Sequence, residues 1–425
     1  MKVFADFHLH SKFARATSQD MDLENIAKWG KIKGLDIIGT GDFSHPKWFS
    51  EIKSKLQPLS GHGIYEYAGM KFMLTTEIST IYQQDKQTRK VHHLIHAPSF
   101  EIVEQINEEL KKMGGNLDQD GRLLLFKSSP EVVERLMKIS PEIMIIPAHA
   151  WTPWFSVFGS KSGFDSVEEC YQDQTKHIHA LETGLSSDPT MNWRLSSLDK
   201  FCLVSNSDSH SAWPWRLGRE FNAFELDEIT YSEIVDAIKK KDKKRFLFTG
   251  EVNPAYGKYH WTGHRNCMVQ MSPKQALDVN NICPKCGKKL TVGVEQRVEE
   301  LADRPEGFVP KDAIPFKTLI PLSELIKAYL GIKTLYSQTI WKEYNRLIES
   351  FGNEFNILLD VSREELEKVA DRNLAELIML NREGKIKINP GYDGVYGEPI
   401  LDEKSQEVKR IKNSEQKQLL EFSGL

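Results

Sequence analysis

The sequence predicts an α/β fold built on a parallel barrel or sheet, and three observations carry that prediction. Short apolar runs rich in β-branched residues recur through the first half. Most of them are separated by stretches long enough for helices. Polar side chains fit to bind a metal stand at the carboxyl ends of the runs, and in a barrel those ends share one rim, where such folds build their sites. The chain has 425 residues, 40% of them hydrophobic, enough to bury a large core and make two or three domains.

The runs are VFADFHLHS, LDIIGTGD, KFMLTTEIST, KVHHLIHAP, EIMIIPAHAW, IHALETGLS and FCLVSNSDSH, followed by FNAFEL and RFLFTG. Between the first two, QDMDLENIAKWGKIKG reads as a helix, with Asp20 or Asp22 as cap, Ile26 and Trp29 on one face and Gly34 as the stop. From about residue 310 the pattern turns helical, in LSELIKAYL, TIWKEYNRLIESF and REELEKVADRNLAELIML. KIKINPGYDGVYGEP follows as a short strand and Gly-rich turn, then a polar tail. No internal repeat or long low-complexity tract interrupts the chain.

A formal charge of −4 excludes a wholly basic nucleic-acid coat, while leaving room for a local basic face. No opening apolar segment or long apolar span suggests export or membrane insertion, so a cytoplasmic location is expected. Five cysteines, three of them clustered late, fit a reduced protein with a metal site better than a disulfide framework.

Residues i and i+2 of a strand share a face, so His8 and His10 can converge on one point while Phe7 and Leu9 turn away. Asp42, Glu77, His92 or His93, His149, Asp208 and His210 likewise stand at or just past strand ends. Nitrogen and carboxylate donors without thiolate suit Zn, Mn or Fe, and a carboxylate such as Glu77 can bridge two ions. A second constellation is GHRNC with CPKCGKK: His264 and Cys267 form one gapped pair, Cys283 and Cys286 another. Four ligands close a tetrahedron, so this zinc is expected to be structural. Arg265, Lys285, Lys288, Lys289 and Arg297 surround it and can track a phosphate backbone. The KKKDKKR stretch from Lys239 to Arg245 reads only as a solvated charged face.

The set DFHLHS, GTGD, TTE, VHH, PAH and SNSDSH resembles the polymerase-and-histidinol-phosphatase (PHP) metallophosphoesterases over roughly the first 250 residues. That resemblance implies a distorted (β/α)7 barrel holding two or three divalent ions (Zn, Mn or Mg). By it His8, His10, Glu77 and Asp208 look like one metal's shell, Glu77 and His149 with His92 or His93 a second, and Asp42 with His210 a third. His8, His10, Glu77, His149, Asp208 and His210 are then the catalytic set. The chain departs from the family pattern at Arg15, where the family often has Asp or His, and at Thr40-Gly41-Asp42, where it usually has Thr-Asp-His. A cluster of divalent ions activates water for phosphate-ester hydrolysis, and Arg15 would add charge beside the phosphate.

The order of the whole chain resembles the endonuclease Q family: a barrel, then GHRNC with CPKCGKKLTVGVEQRVEELADRPEG, then helices and PGYDGVYGEP. That resemblance implies nicking of DNA on the 5′ side of deaminated bases (hypoxanthine, uracil, xanthine) and abasic sites. The expected division is a barrel over 1–250, a zinc-binding module over 251–310, a helical domain over 311–400 and a flexible tail over 401–425. Telling hypoxanthine from adenine requires extruding the nucleotide, and Trp151, Trp154 and Trp213 on the rim loops are the expected substrate-binding aromatics. In the tail SEQKQLLEFSGL, Gln416, Leu419 and Phe422 have the spacing of a sliding-clamp peptide. The alternatives are a PHP-type small-molecule phosphatase, which has little use for a zinc module, and an inactive DNA- or clamp-binding scaffold, against which the retained ligands argue.

Overall fold

The computed structural model describes residues 1–400; the clamp-like residues Gln416, Leu419 and Phe422 lie outside them. Seven strands form a closed ring. Lys2–Asp6 pairs in parallel with Ile37–Gly39, and that strand in parallel with Met70–Gln84. Met70–Gln84 and Gln87–Ala97 then make a long antiparallel hairpin, and Met144–Pro147 runs antiparallel to the latter. A bridge from Ile145 to Ile178 leads to Ala180–Glu182, which pairs with Cys202–Val204. The ring closes where Ser209 bridges Leu9 and where Phe7 N–H donates to the Asn206 side chain at 2.9 Å.

The result is a distorted α/β barrel whose sheet is mixed, a correction to the all-parallel expectation. The cause is local. Asp85 and Lys86 both take positive φ, 50° and 61°, the two-residue turn that matches the twist of a hairpin and leaves no room for a crossover helix. Phe221–Glu225 and Phe246–Glu251 extend the sheet antiparallel beside Lys2–Asp6.

Val3, Ala5, Met73, Leu94, Met144, Ile146, Ala180, Cys202 and Val204 are buried together inside the ring. A second buried layer, with Ile26, Ile38, Trp48, Ile95 and Val103, lies between the strands and the outer helices. The first of these, Leu23–Lys33, is capped as its sequence suggests: Asp22 accepts from Asn25 N–H at 2.8 Å, and Gly34 at φ 100° ends it.

Beyond the ring, strands Thr262–His264 and Val269–Met271 pair antiparallel, followed by helices Pro273–Asp278 and Val294–Leu301. Strand Phe316–Thr318 returns to the main sheet beside Phe246–Glu251. Helices Leu322–Leu330, Gln338–Phe351, Glu354–Leu359, Arg363–Val369 and Arg372–Arg382 then build their own apolar cluster around Leu325, Tyr344, Ile357, Leu366 and Leu374. Among the described residues, no helix is long and apolar enough to cross a membrane.

Candidate metal centre at the barrel rim

Donor atoms meet at one mouth of the ring, from the ends of three short strands and from within the long hairpin strands Met70–Gln84 and Gln87–Ala97, which carry Glu77 and His92. His8, His10 and Glu77 bring ligand atoms within 4.8 Å of one another; so do His10, Asp208 and His210, and Glu77, His92 and His149. Glu77 sits in the middle, with Oε1 2.7 Å from His92 Nδ1 and 3.1 Å from His149 Nε2, and Oε2 3.4 Å from His10 Nε2. Burial alone would raise the Glu77 carboxyl, but His92, His10 and His149 hold it well below its ordinary range. Burial would likewise raise Asp208, and His210, His10 and His8 pull it far down. Both carboxylates stay charged where they point.

The polar atoms test whether metals fit. His8 Nε2, His10 Nε2 and Asp208 Oδ1 are buried without a hydrogen-bond partner, although an unpaired buried polar group costs about 1–3 kcal/mol. His8 uses its other ring nitrogen on Glu182, at 2.9 and 3.0 Å, and His10 uses Nδ1 on Asp42 Oδ1 at 3.0 Å. This is how metal-binding histidines are held: one nitrogen fixed by a carboxylate, the other left bare. Burial pushes His92 down to about 4, so it offers a neutral ring. The donor set fits divalent metal ions.

The backbone bends to allow this. Asp42, His149 and Asp208 take φ of 44°, 32° and 46°, a region rarely adopted by non-glycine residues and seen where a site needs its side chains re-aimed. Gly184 makes room beside one of them, because a Cβ there would stand 2.7 Å from that of His149.

Several expected positions move. His93 is not in the donor set: strand alternation turns it outward, against Thr80 Oγ1 at 3.0 Å and Tyr171 Oη at 2.8 Å, while His92 faces the mouth. Asp42 also lies outside it, because both carboxylate oxygens are engaged by His10 and by the Ser11 N–H and hydroxyl at 2.6 and 2.8 Å; its place beside His210 is filled by His10 and Asp208. Phe7 stays in phase with Val3 and Ala5 on the barrel interior while Leu9 packs on the outer layer, so the alternation breaks between them, past the end of the regular strand.

Arg15 is exposed, and its backbone N–H donates to Asp120; the guanidinium that reaches the centre is that of Arg122, 3.5 Å from Glu77 Oε2. Trp151 is a core residue, 1% exposed, stacked on Phe158 and donating to Asn192 Oδ1 at 2.8 Å. Trp213 joins Trp29, Trp215 and Trp341 in an aromatic cluster. Trp154 alone of the three tryptophans is substantially exposed, at 41%, edge-on to Tyr259. Sequence reasoning missed Glu182 and Arg122. The first stands at a strand end like the others and was legible there; the second sits on a loop with no such signal.

In the second region His264, Cys267, Cys283 and Cys286 bring four donor atoms within 4.8 Å, with His264 Nδ1 3.3 Å from Cys286 Sγ. Cys283 and Cys286 lie on a tight turn closed by Gly287 N–H to Cys283 C=O, 2.8 Å, with Gly287 at φ 70°. Two cysteine-bearing loops, one of them also carrying the histidine, suit a closed tetrahedral zinc.

A barrel with a rim of histidines and carboxylates, joined to a cysteine-rich module and a helical region, puts two candidate metal-binding regions in one α/β chain. Residues 321–385 match the family described as the MJ0043 C-terminal domain. The chain is 38% identical over 256 residues to the uncharacterised protein MJ0043 of Methanocaldococcus jannaschii, covering 59% of this chain and 31% of that one. It thus spans about a third of that relative's length. It is 27% identical over 415 residues to the uncharacterised YqxK of Bacillus subtilis, covering 93% and 98%. The solved structure of the lesion-specific endonuclease PfuEndoQ from Pyrococcus furiosus is 35% identical, with TM-score 0.86 over 96% of this chain and 97% of that one. An endonuclease Q complex with a 27-mer duplex substrate, an abasic lesion at its active site, is also 35% identical, with TM-score 0.85 over 95% and 98%. The chain belongs to the endonuclease Q family.

Proposed function

We propose that this chain is a metal-dependent endodeoxyribonuclease that cuts the phosphodiester on the 5′ side of a damaged nucleotide, either a deaminated base (hypoxanthine, uracil or xanthine) or an abasic site. The observation that carries the reading is its likeness, over nearly the whole chain, to an endonuclease Q whose active site holds an abasic lesion in duplex DNA. Hydrolysis joins a water oxygen to phosphorus and breaks the P–O3′ bond, leaving a 3′-hydroxyl and a 5′-phosphate. Zn, Mn or Mg ions, held by His8, His10, Glu77, His92, His149, Asp208 and His210, would supply Lewis-acid stabilisation of the charge that builds on the phosphate.

The chain's own residues orient this. Glu182 and Asp42 fix His8 and His10. Asp208 and His210, with side chains about a third exposed at 31% and 33%, mark the open side by which DNA enters. Beside it lies a cavity of about 620 Å3 lined by Arg216, Arg219, Lys327, Tyr256 and Tyr396 among others, within the range of small-ligand pockets. It adjoins the rim through Arg219, whose guanidinium donates to Ser207 C=O at 2.9 Å, and through Leu185, next to Gly184. An extruded nucleotide fits such a space, and Trp154 is the aromatic placed to meet DNA outside it. The proposed zinc of His264, Cys267, Cys283 and Cys286 is structural. The sliding clamp is proposed as partner from the sequence of the tail alone.

The test is incubation of metal-loaded protein with end-labelled duplexes holding one abasic site, inosine, uridine or normal base. Cutting 5′ to the lesions only is expected; equal cutting of lesion-free DNA, or none in any divalent ion, overturns the reading.

A further inference from the structure

Arg122 stands in the centre without a part in the donor set. The short strand Leu123–Leu125 runs parallel to Met70–Gln84 with Leu123 opposite Ile78, so the preceding residues, Arg122 and Glu77, come side by side. The loop before it passes tightly behind the donors: a Cβ on Gly121 would stand 2.5 Å from Asp42 Oδ2. Asp120 Oδ1 accepts the Arg122 N–H at 3.1 Å and fixes the turn. The guanidinium therefore arrives beside Glu77 by construction. Its side chain keeps 27% of its surface open, so N–H donors not turned to Glu77 stay reachable beside the donor set.

A guanidinium is always charged and carries five N–H donors in a planar fork. Its ion pair with Glu77 offsets only part of the repulsion from positions built for divalent cations, and its remaining N–H donors call for a second anion. The anion of the proposed reaction is the phosphodiester, and a fork is the group that holds phosphate oxygens in pairs. We infer that Arg122 is a catalytic residue that grips a non-bridging oxygen of the scissile phosphate, an assignment that rests on the proposed phosphodiester cleavage.

The experiment compares metal-loaded wild type, Arg122→Lys and Arg122→Ala on a duplex with one abasic site. The scissile phosphate is all-oxygen or one of the two phosphorothioate diastereomers, and bound metal and duplex affinity are measured in parallel. Arg122→Ala is expected to lose about 10²–10³ in kcat, with metal content intact. Its slowing by one sulfur diastereomer should shrink, and added guanidinium ion should restore part of the rate; Arg122→Lys should fall between. A variant with wild-type rate and sulfur effect overturns the inference. So does one that loses metal while the sulfur effect stays, because Arg122 is then only a counter-charge to Glu77. Wild-type protein that cuts no lesion duplex overturns the proposed function as well; normal wild-type cutting with an indifferent Arg122→Ala overturns this inference alone.

Discussion

His8 owes its aim to Glu182, and so does His149, whose backbone N–H donates to the same carboxylate at 2.8 Å while Asn206 Nδ2 donates at 2.8 Å. One side chain thus fixes two of the residues proposed to hold metal. Glu182→Gln puts an amide N–H where the His8 Nδ1–H must find an acceptor, and metal affinity should fall about 10–100-fold, read by competition with a chelator; an unchanged affinity would remove Glu182 from this role. Asp208→Asn should abolish nicking and leave duplex binding largely intact, since it removes a ligand's charge but no DNA-facing surface. A gel-shift beside the nicking assay checks both halves. The residues themselves were legible because His, Asp and Glu gathered at the ends of several strands are costly to bury unless they share a ligand. The choice between His92 and His93 was not, because alternation says only that they face opposite ways. Which one faces inward is decided by the register of the hairpin, where Ser79 opposes His92 and Ile78 opposes His93.

At the scale of elements, the two additions to the barrel are held differently. In the cysteine module the buried apolar cluster is Val269, Ala276, Cys283 and Leu290, with Cys267, Met271 and Val279 half-buried against it, little to order a segment of that length against its conformational entropy. The proposed zinc therefore supplies much of its folding energy, and Cys283→Ser should release zinc, loosen the module in hydrogen exchange and weaken DNA binding. Full zinc content in that variant would discard the four-ligand assignment. The helical region is pinned by Lys33, whose ammonium, 1% exposed, bonds Glu354 Oε1 at 2.7 Å and Pro214 C=O at 2.8 Å. Glu354 also accepts from Leu322 N–H and Tyr344 Oη. Removing one partner leaves a bare buried charge, so Lys33→Met should cost about 3–5 kcal/mol in denaturant unfolding, while Lys33→Met with Glu354→Gln costs less; equal losses would show that the pairing is not the source. Sequence periodicity found Leu322–Leu330 and Gln338–Phe351, named no run for Glu354–Leu359, and ran Arg363–Val369 and Arg372–Arg382 together. The break comes from Ala370, extended at ψ 157°, and from Asp371, which caps the second helix by accepting from Asn373 N–H at 2.9 Å. Capping residues inside an apolar period are easily read as its polar face.

For the whole molecule, alternating strands and helices foretold the ring and not its mixed direction, because direction is set by connections such as the Asp85–Lys86 turn rather than by the strands. Nor does any period in the sequence announce the acids buried beneath the site. Glu220 and Glu251 are both fully buried. Glu251 is ringed by hydroxyls, with Thr249 Oγ1 at 2.6 Å, Thr183 Oγ1 at 3.0 Å and Ser205 Oγ at 3.2 Å, and Glu220 accepts from Val252 N–H at 3.2 Å. Burial pushes the Glu251 carboxyl up to about 8, and burial together with the nearby Glu251 pushes Glu220 well above its ordinary value. In the unfolded chain a glutamate titrates near about 4.3. The folded state therefore holds a proton that the unfolded state gives up between those values, and the stability it brings is fully present below about pH 4 and lost as pH rises toward 8. The slope for one such group approaches about 1.4 kcal/mol per pH unit, opposite in sign to that of ordinary paired carboxylates. Glu251→Gln keeps the shape and abolishes the titration, so its stability relative to wild type should climb as pH goes from 5 to 8. Denaturant midpoints measured for both proteins at fixed metal and salt read this difference together with the part of Glu220's titration that Glu251 sets, because groups away from this pair cancel; a constant difference across the range would mean that Glu251 is ionised in the folded protein throughout.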